Sequence, residues 1–136
     1  MSKYLSCHAH ATPLVRTCFS DEQSWQALLV DVTTPTEEDF LANLDIVDDI
    51  AYQGLSAQRM ASLTPPGTKL VVLADEAALA VPGKPLLVIR TGTGPHDELR
   101  VIAAELWSIE NNITWANMDW AEFTDAADED GVFRGF

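Results

Sequence analysis

Two apolar runs dominate the middle of the chain, residues 69–74 (KLVVLA) and 86–90 (LLVIR), with Pro65, Pro66 and Gly67 ahead of the first and Pro82 and Gly83 ahead of the second. Neither run alternates polar with apolar, so neither can turn one clean face to water. Segments of this kind expect cover on both sides, as internal strands of a sheet flanked by helices have. At 136 residues, 47% of them hydrophobic, the chain is long enough to bury one such core without crosslinks.

The rest of the pattern supplies the helices. Residues 1–12 show no period and read as a flexible lead-in, leaving residues 13–136 as a single globular domain. Leu14, Val15, Arg16 and Thr17 form a short β-rich run. Ser20 and Gln23 stand at capping-box spacing, so a helix is expected to open near Asp21, with Trp25, Leu28, Leu29 and Val32 on its apolar face and Pro35 ending the pattern. Residues 37–44 suggest a short helix, and residues 44–49 read as an acidic edge strand. Ser56 is an N-cap candidate for a helix through Met60 and Leu63. A short helix over residues 75–79 separates the two apolar runs, and residues 98–102 read as a hairpin partner of the second. A helix begins near Ala103 with Leu106, Trp107, Ile109 and Ile113 at helical spacing, and another follows Asn117. Strands alternating with helices predict an α/β or α+β fold, a mixed sheet of about five strands with helices packed on it. The strand order stays open.

Charge removes several function classes. Lys and Arg number 8 against 21 Asp and Glu, a formal net charge of −13. Nucleic-acid and anionic-membrane partners are therefore not expected, because such a surface repels phosphates. The first twelve residues have one Lys and no apolar core of a secretory signal, which predicts a cytoplasmic protein. Cys7 and Cys18 read as free thiols, with Cys18 buried near a strand end.

Motifs for cofactors and metals are incomplete. Gly92, Thr93 and Gly94 lack the third glycine or the Gly-Lys-Ser/Thr ending of a nucleotide loop, and Pro95 marks a hairpin turn instead. The acidic segment from Asp125 to Gly131 cannot complete a calcium loop, since the twelfth position would fall beyond Phe136. Cys7, His8 and His10 suit no zinc spacing, and His96 stands at a hairpin tip. No metal and no cofactor is expected.

Two sets of residues remain as candidates. Arg16 and Arg90 both end predicted strands; if those strands run parallel, the guanidiniums share the edge where open α/β sheets bind ligands and clamp an anion there. The competing reading is simple pairing with the surplus acids. The second set is Glu110, Asn111, Asn112, Trp115, Asn117, Asp119 and Trp120, where amides and carboxylates alternate with aromatic anchors. Its structural reading is a helix-to-helix junction with Asn117 or Asp119 as N-cap. Its functional reading is a recognition surface for a basic protein, with Trp107, Trp115 and Trp120 as rigid anchors. Eight of the 21 acids lie between Glu105 and Asp130, where no Lys or Arg occurs.

The runs from Val15 to Asp21 with Trp25, from Ile109 to Trp120, and from Glu129 to Phe136 resemble a family of small acidic actinobacterial proteins known only as a domain of unknown function. The resemblance spans residues 13–136 and departs at Cys18, where an acid is expected. It implies no activity and no catalytic residues. More loosely, residues 110–123 resemble small bacterial toxin-neutralising proteins, whose acidity complements basic targets. The expectation is an acidic protein-binding module, inhibitor-like or immunity-like and without enzymatic activity. The alternative is a small cofactor-independent cyclase, lyase or isomerase, using Glu105, Asp119 or Glu122 as acid and base and Arg16 or Arg90 to hold an anionic substrate. A structural or regulatory subunit is a third reading.

Overall fold

A computed structural model describes residues 11–91 and 97–136. Cys7, His8, His10 and most of the expected lead-in, together with the turn tip from Gly92 to His96, lie outside the described residues. The elements run β1 (Thr12–Arg16), α1 (Glu22–Thr33), β2 (Leu44–Val47), α2 (Ala57–Leu63), β3 (Leu70–Ala74), α3 (Glu76–Ala80), β4 (Pro85–Arg90), β5 (Asp97–Ile102), α4 (Leu106–Thr114), α5 (Trp120–Ala126) and β6 (Val132–Phe133). They build a single α/β domain on one sheet in the order β2-β1-β3-β4-β5-β6. β1 is parallel to both β2 and β3, β3-β4-β5 is antiparallel, and β6 is parallel to β5.

The sheet has six strands rather than five because Val132 and Phe133 pair with Arg100 and Val101, a contact too short to carry a period of its own. It also begins at Thr12, one residue before Pro13.

Both faces are covered, as the unbroken apolar runs require. All five residues of β3 are buried. Leu14, Leu70, Val72, Leu86, Val88 and Val101 face α1, α4 and α5, which contribute Trp25, Leu28, Ile109 and Phe123. Val15, Val71, Leu73, Leu87 and Ile89 face Met60 of α2 with Tyr52 and Leu55. Each fully buried large side chain contributes roughly 1.5–3 kcal/mol of hydrophobic stabilisation.

The caps largely follow the sequence. The Ser56 hydroxyl accepts from Arg59 N and starts α2, and Asp75 accepts from Ala78 N and starts α3. For α1 the cap is Asp21 rather than Ser20: Asp21 is extended and its carboxylate accepts from Ser24 N. The short helix expected over residues 37–44 is absent. Thr36 instead closes a turn, its N–H donating to Phe40 O, its carbonyl accepting from Asp39 N and its hydroxyl accepting from Phe40 N. Asp39 sits at φ 69, a left-handed conformation that no helix accommodates. Among the described residues no helix is long and apolar enough to cross a membrane.

Candidate protein-binding surface

Helix α4 carries the candidate surface because two of its faces do different work. Leu106, Ile109 and Ile113 are buried against the sheet. Trp107, Asn111 and Trp115 recur every four residues on another side, and Trp115 stays in helical register because its N–H donates to Asn111 O at 3.1 Å.

Glu110 stands at the boundary and is 1% exposed. Its carboxylate accepts from Thr12 Oγ1 (2.9 Å), Asn43 N (2.7 Å), Asn111 Nδ2 (3.1 Å) and Thr114 Oγ1 (3.0 Å). No Lys or Arg pairs with it among the described residues. The buried charge is thus held by four donors, which is what makes its burial tolerable. Asn111 also donates to Leu41 O at 3.0 Å. Together Glu110 and Asn111 pin both ends of residues 41–43 against α4. Asn112 turns back on its own helix, donating to Ser108 O, while its backbone carbonyl accepts from Asn117 and Met118 and closes the helix end. These residues were expected at a recognition surface; in the structure Glu110 and Asn111 hold residues 41–43 against α4, and Asn112 bonds within its own helix.

The surface they present comes from the preceding turn. Phe40 stacks flat on Trp107, with centroids 4.8 Å apart and an interplanar angle of 8°. Phe40 remains 46% exposed, Leu41 42% and Trp115 68%. The hollow beneath Phe40 is about 20 Å³, room for little beyond a water, so the face suits a broad partner rather than a small ligand. Glu37, Glu38 and Asp39 precede Phe40 and are exposed. None of the three is paired with a described cation.

That freedom matters because most other acids near a cation are already neutralised. Arg16 pairs with Glu22 and Asp48, Lys84 with Asp31, Arg90 with Asp97, Arg100 with Asp75, and Arg134 with Asp128 and Asp130. Arg134 holds Asp130 below the usual carboxylate range and is itself pushed up. The acidic stretch ending at Asp130 is therefore partly closed from outside by a residue four positions later.

Several expected site residues are relocated. Trp120 is buried, with the Arg90 guanidinium 5.5 Å from its ring, so the anchors exposed on the surface are not three tryptophans. Asn117 is exposed and is not the N-cap of α5; that place is taken by Asp119, which with Glu122 forms a reciprocal capping box. Arg16 and Arg90 do not share an edge. Arg16 is level with Ala74, at one end of β3, and Arg90 with Leu70, at the other, because β4 runs antiparallel to β3. Four residues of strand rise separate them by about 13 Å. Arg16 is buried instead between Phe19 and Trp25, with Nε donating to Cys18 O. Cys18 is half-buried, its Sγ 3.3 Å from Ser20 Oγ. Glu37, Glu38, Asp39, Phe40 and Leu41 enter as candidates only through the structure; their signal in the sequence is three acids running directly into Phe and Leu after Pro35.

Glu105 is half-buried, and loss of hydration pushes its carboxyl above the ordinary glutamate value. It makes no capping bond to α4. Gly135, at φ 108, lies so close that a Cβ there would stand 3.1 Å from Glu105 Oε1. A carboxyl raised by folding binds its proton more tightly in the native state, so its ionisation costs stability as pH rises through the shifted range. Glu105→Gln should therefore raise Tm at pH 7, and the gain should vanish as pH falls below the unfolded glutamate pKa of about 4.3. Thermal melts at the two pH values check this; an equal gain at both would show the charge is irrelevant.

A comparison with protein-family models matches residues 11–136 to DUF6924, a domain of unknown function. A comparison with curated proteins finds no match.

Proposed function

The chain belongs to the DUF6924 family, a domain of unknown function, and we propose that it is an acidic protein-binding module whose Phe40, Leu41, Trp107 and Trp115 face docks a basic partner protein. The carrying observation is the juxtaposition of three carboxylates unpaired among the described residues, Glu37, Glu38 and Asp39, with the stacked Phe40 and Trp107 rings beside residues 41–43, which Glu110 and Asn111 hold in place. Unpaired acids speed the encounter with a basic surface, and preordered aromatic side chains supply the short-range contact. The hollow on this face has room for little beyond a water, which favours a protein over a small molecule. Its charge suits an inhibitor-like role toward a basic target. In the same reading the protein is cytoplasmic and one of a family of small acidic actinobacterial proteins, on the resemblance of its Ile109-to-Trp120 and C-terminal motifs.

The small-enzyme reading has less to rest on. Its two arginines stand at opposite ends of β3 and are ion-paired, and the carboxylates of Asp119 and Glu122 are engaged in a helix cap.

The test uses three baits in native lysate: wild type, the Glu37→Gln/Glu38→Gln/Asp39→Asn triple variant, and Phe40→Ala. A basic protein retained by the wild type should be lost or weakened on both variants. With that partner purified, the triple variant should slow association by about tenfold at low salt and lose its difference at high salt. Phe40→Ala should mainly speed dissociation, by about 30-fold if the ring is worth about 2 kcal/mol. Identical captured sets on all three baits would sink the proposal.

A further inference from the structure

A second feature, on a different edge of the sheet, carries a site of another kind. From β1 the chain turns one way, through α1 to β2, and from β3 it turns the other way, through α3 to β4. The loops leaving the carboxyl ends of the parallel neighbours β1 and β3 form, with residues 53–55, the walls of a cleft of about 370 Å³ lined by residues 17–20, 53–55 and 75–76. Open α/β sheets hold small ligands outside the carboxyl ends of their strands, and this volume is within the usual range for such sites. The Gly54 N–H donates to Thr17 O at 2.8 Å and fixes one wall against the other.

The lining decides what fits. Phe19 and Leu55 are half-buried and form the apolar part. The Arg16 guanidinium is committed to Glu22, Asp48 and Cys18 O and stacks against Phe19, and so is not offered to an anion. Asp75 is gripped by both Arg100 nitrogens and caps α3. The charge left over on the lining is Glu76, exposed and unpaired among the described residues, with the Gln53 amide across the cleft also uncommitted. We propose that this cleft binds a small molecule with a protonated amine and a compact apolar body, the amine paired with Glu76 and the body against Phe19 and Leu55. Phosphates and carboxylates are disfavoured, because the lining gives them a free negative charge and no free positive one.

Cys18 lies in the wall and reports on occupancy. In a Cys7→Ser background, the rate of Cys18 labelling by a disulfide reagent is measured with phenethylamine or phenylacetate added. At a phenethylamine concentration about ten times its Kd, labelling should slow about tenfold by mass action. Phenylacetate should have no effect, and Glu76→Gln, which leaves the Asp75 cap intact, should remove most of the amine's protection. Absence of protection by saturating amine, equal protection by the acid, or protection unchanged in Glu76→Gln would each overturn the assignment. Docking by the Phe40 face is untouched by any of these results.

Discussion

Replacing Glu110 with Ala should lower the urea midpoint by the equivalent of about 3–5 kcal/mol, the cost of several stranded donors. The reason lies in what the carboxylate serves. Its two oxygens are acceptors for Thr12 of β1, Asn43 at the entry to β2, and Asn111 and Thr114 on α4. Removing it strands donors from three segments in a site that water reaches poorly, and each stranded group costs about 1–3 kcal/mol. Glu110→Gln separates hydrogen bonding from charge. The amide oxygen keeps Asn43 and Asn111, while the Thr12 and Thr114 hydroxyls can rotate to accept from the new NH2 group. Since no Lys or Arg pairs with Glu110 among the described residues, little attraction is lost, and Glu110→Gln should stay within about 1 kcal/mol of wild type. If Gln proved as damaging as Ala, the negative charge itself would be what the site requires. The proposed docking gives a second readout: Glu110→Gln should keep the proposed face, whereas Glu110→Ala should loosen residues 41–43 and weaken capture of any partner docked there even where the domain remains folded.

Much of this architecture was legible because it rests on local chemistry. The runs at residues 69–74 and 86–90 demanded cover on both faces and have it, and Ser56 stood as a cap before a periodic segment. Direction was not legible. An apolar run buried on both faces reads the same whether it is parallel or antiparallel to its neighbour, so nothing local says that β4 opposes β3, and a shared edge for Arg16 and Arg90 depends on that choice; the competing reading, pairing with acids, is what both arginines show. Glu110 is a subtler case. It follows Leu106 by four and precedes Ile113 by three, which places it on the core side of α4, yet its partners include a residue 98 positions away. Helical spacing could have flagged a buried carboxylate; only the tertiary fold supplies the donors that make it stable. Residues 37–41 failed for the opposite reason. Their turn depends on a Thr36 hydroxyl and a left-handed Asp39, neither of which leaves a periodic trace.

Truncating the aromatic cluster at the chain's end is the other large effect. Phe123 and Phe133 are fully buried and meet edge to face, centroids 5.2 Å apart at 74°, and both touch Phe136. Phe123→Ala and Phe133→Ala should each cost about 3–5 kcal/mol through lost burial and the cavity left behind. Phe136 is 74% exposed, and Phe136→Ala should cost under about 1 kcal/mol. The double variant should lose less than the sum of the singles, because the first truncation already removes an edge-to-face contact worth about 0.5–1.5 kcal/mol. Full additivity in urea unfolding would mean that the two rings stabilise separate parts of the fold. Phe133 also anchors β6, and β6 carries the chain to Gly135 beside Glu105. Loosening that anchor should let water back to the Glu105 carboxyl. The stabilisation that Glu105→Gln gives at pH 7 should therefore shrink in a Phe133→Ala background, while in a Phe136→Ala background that retains the strand it should persist.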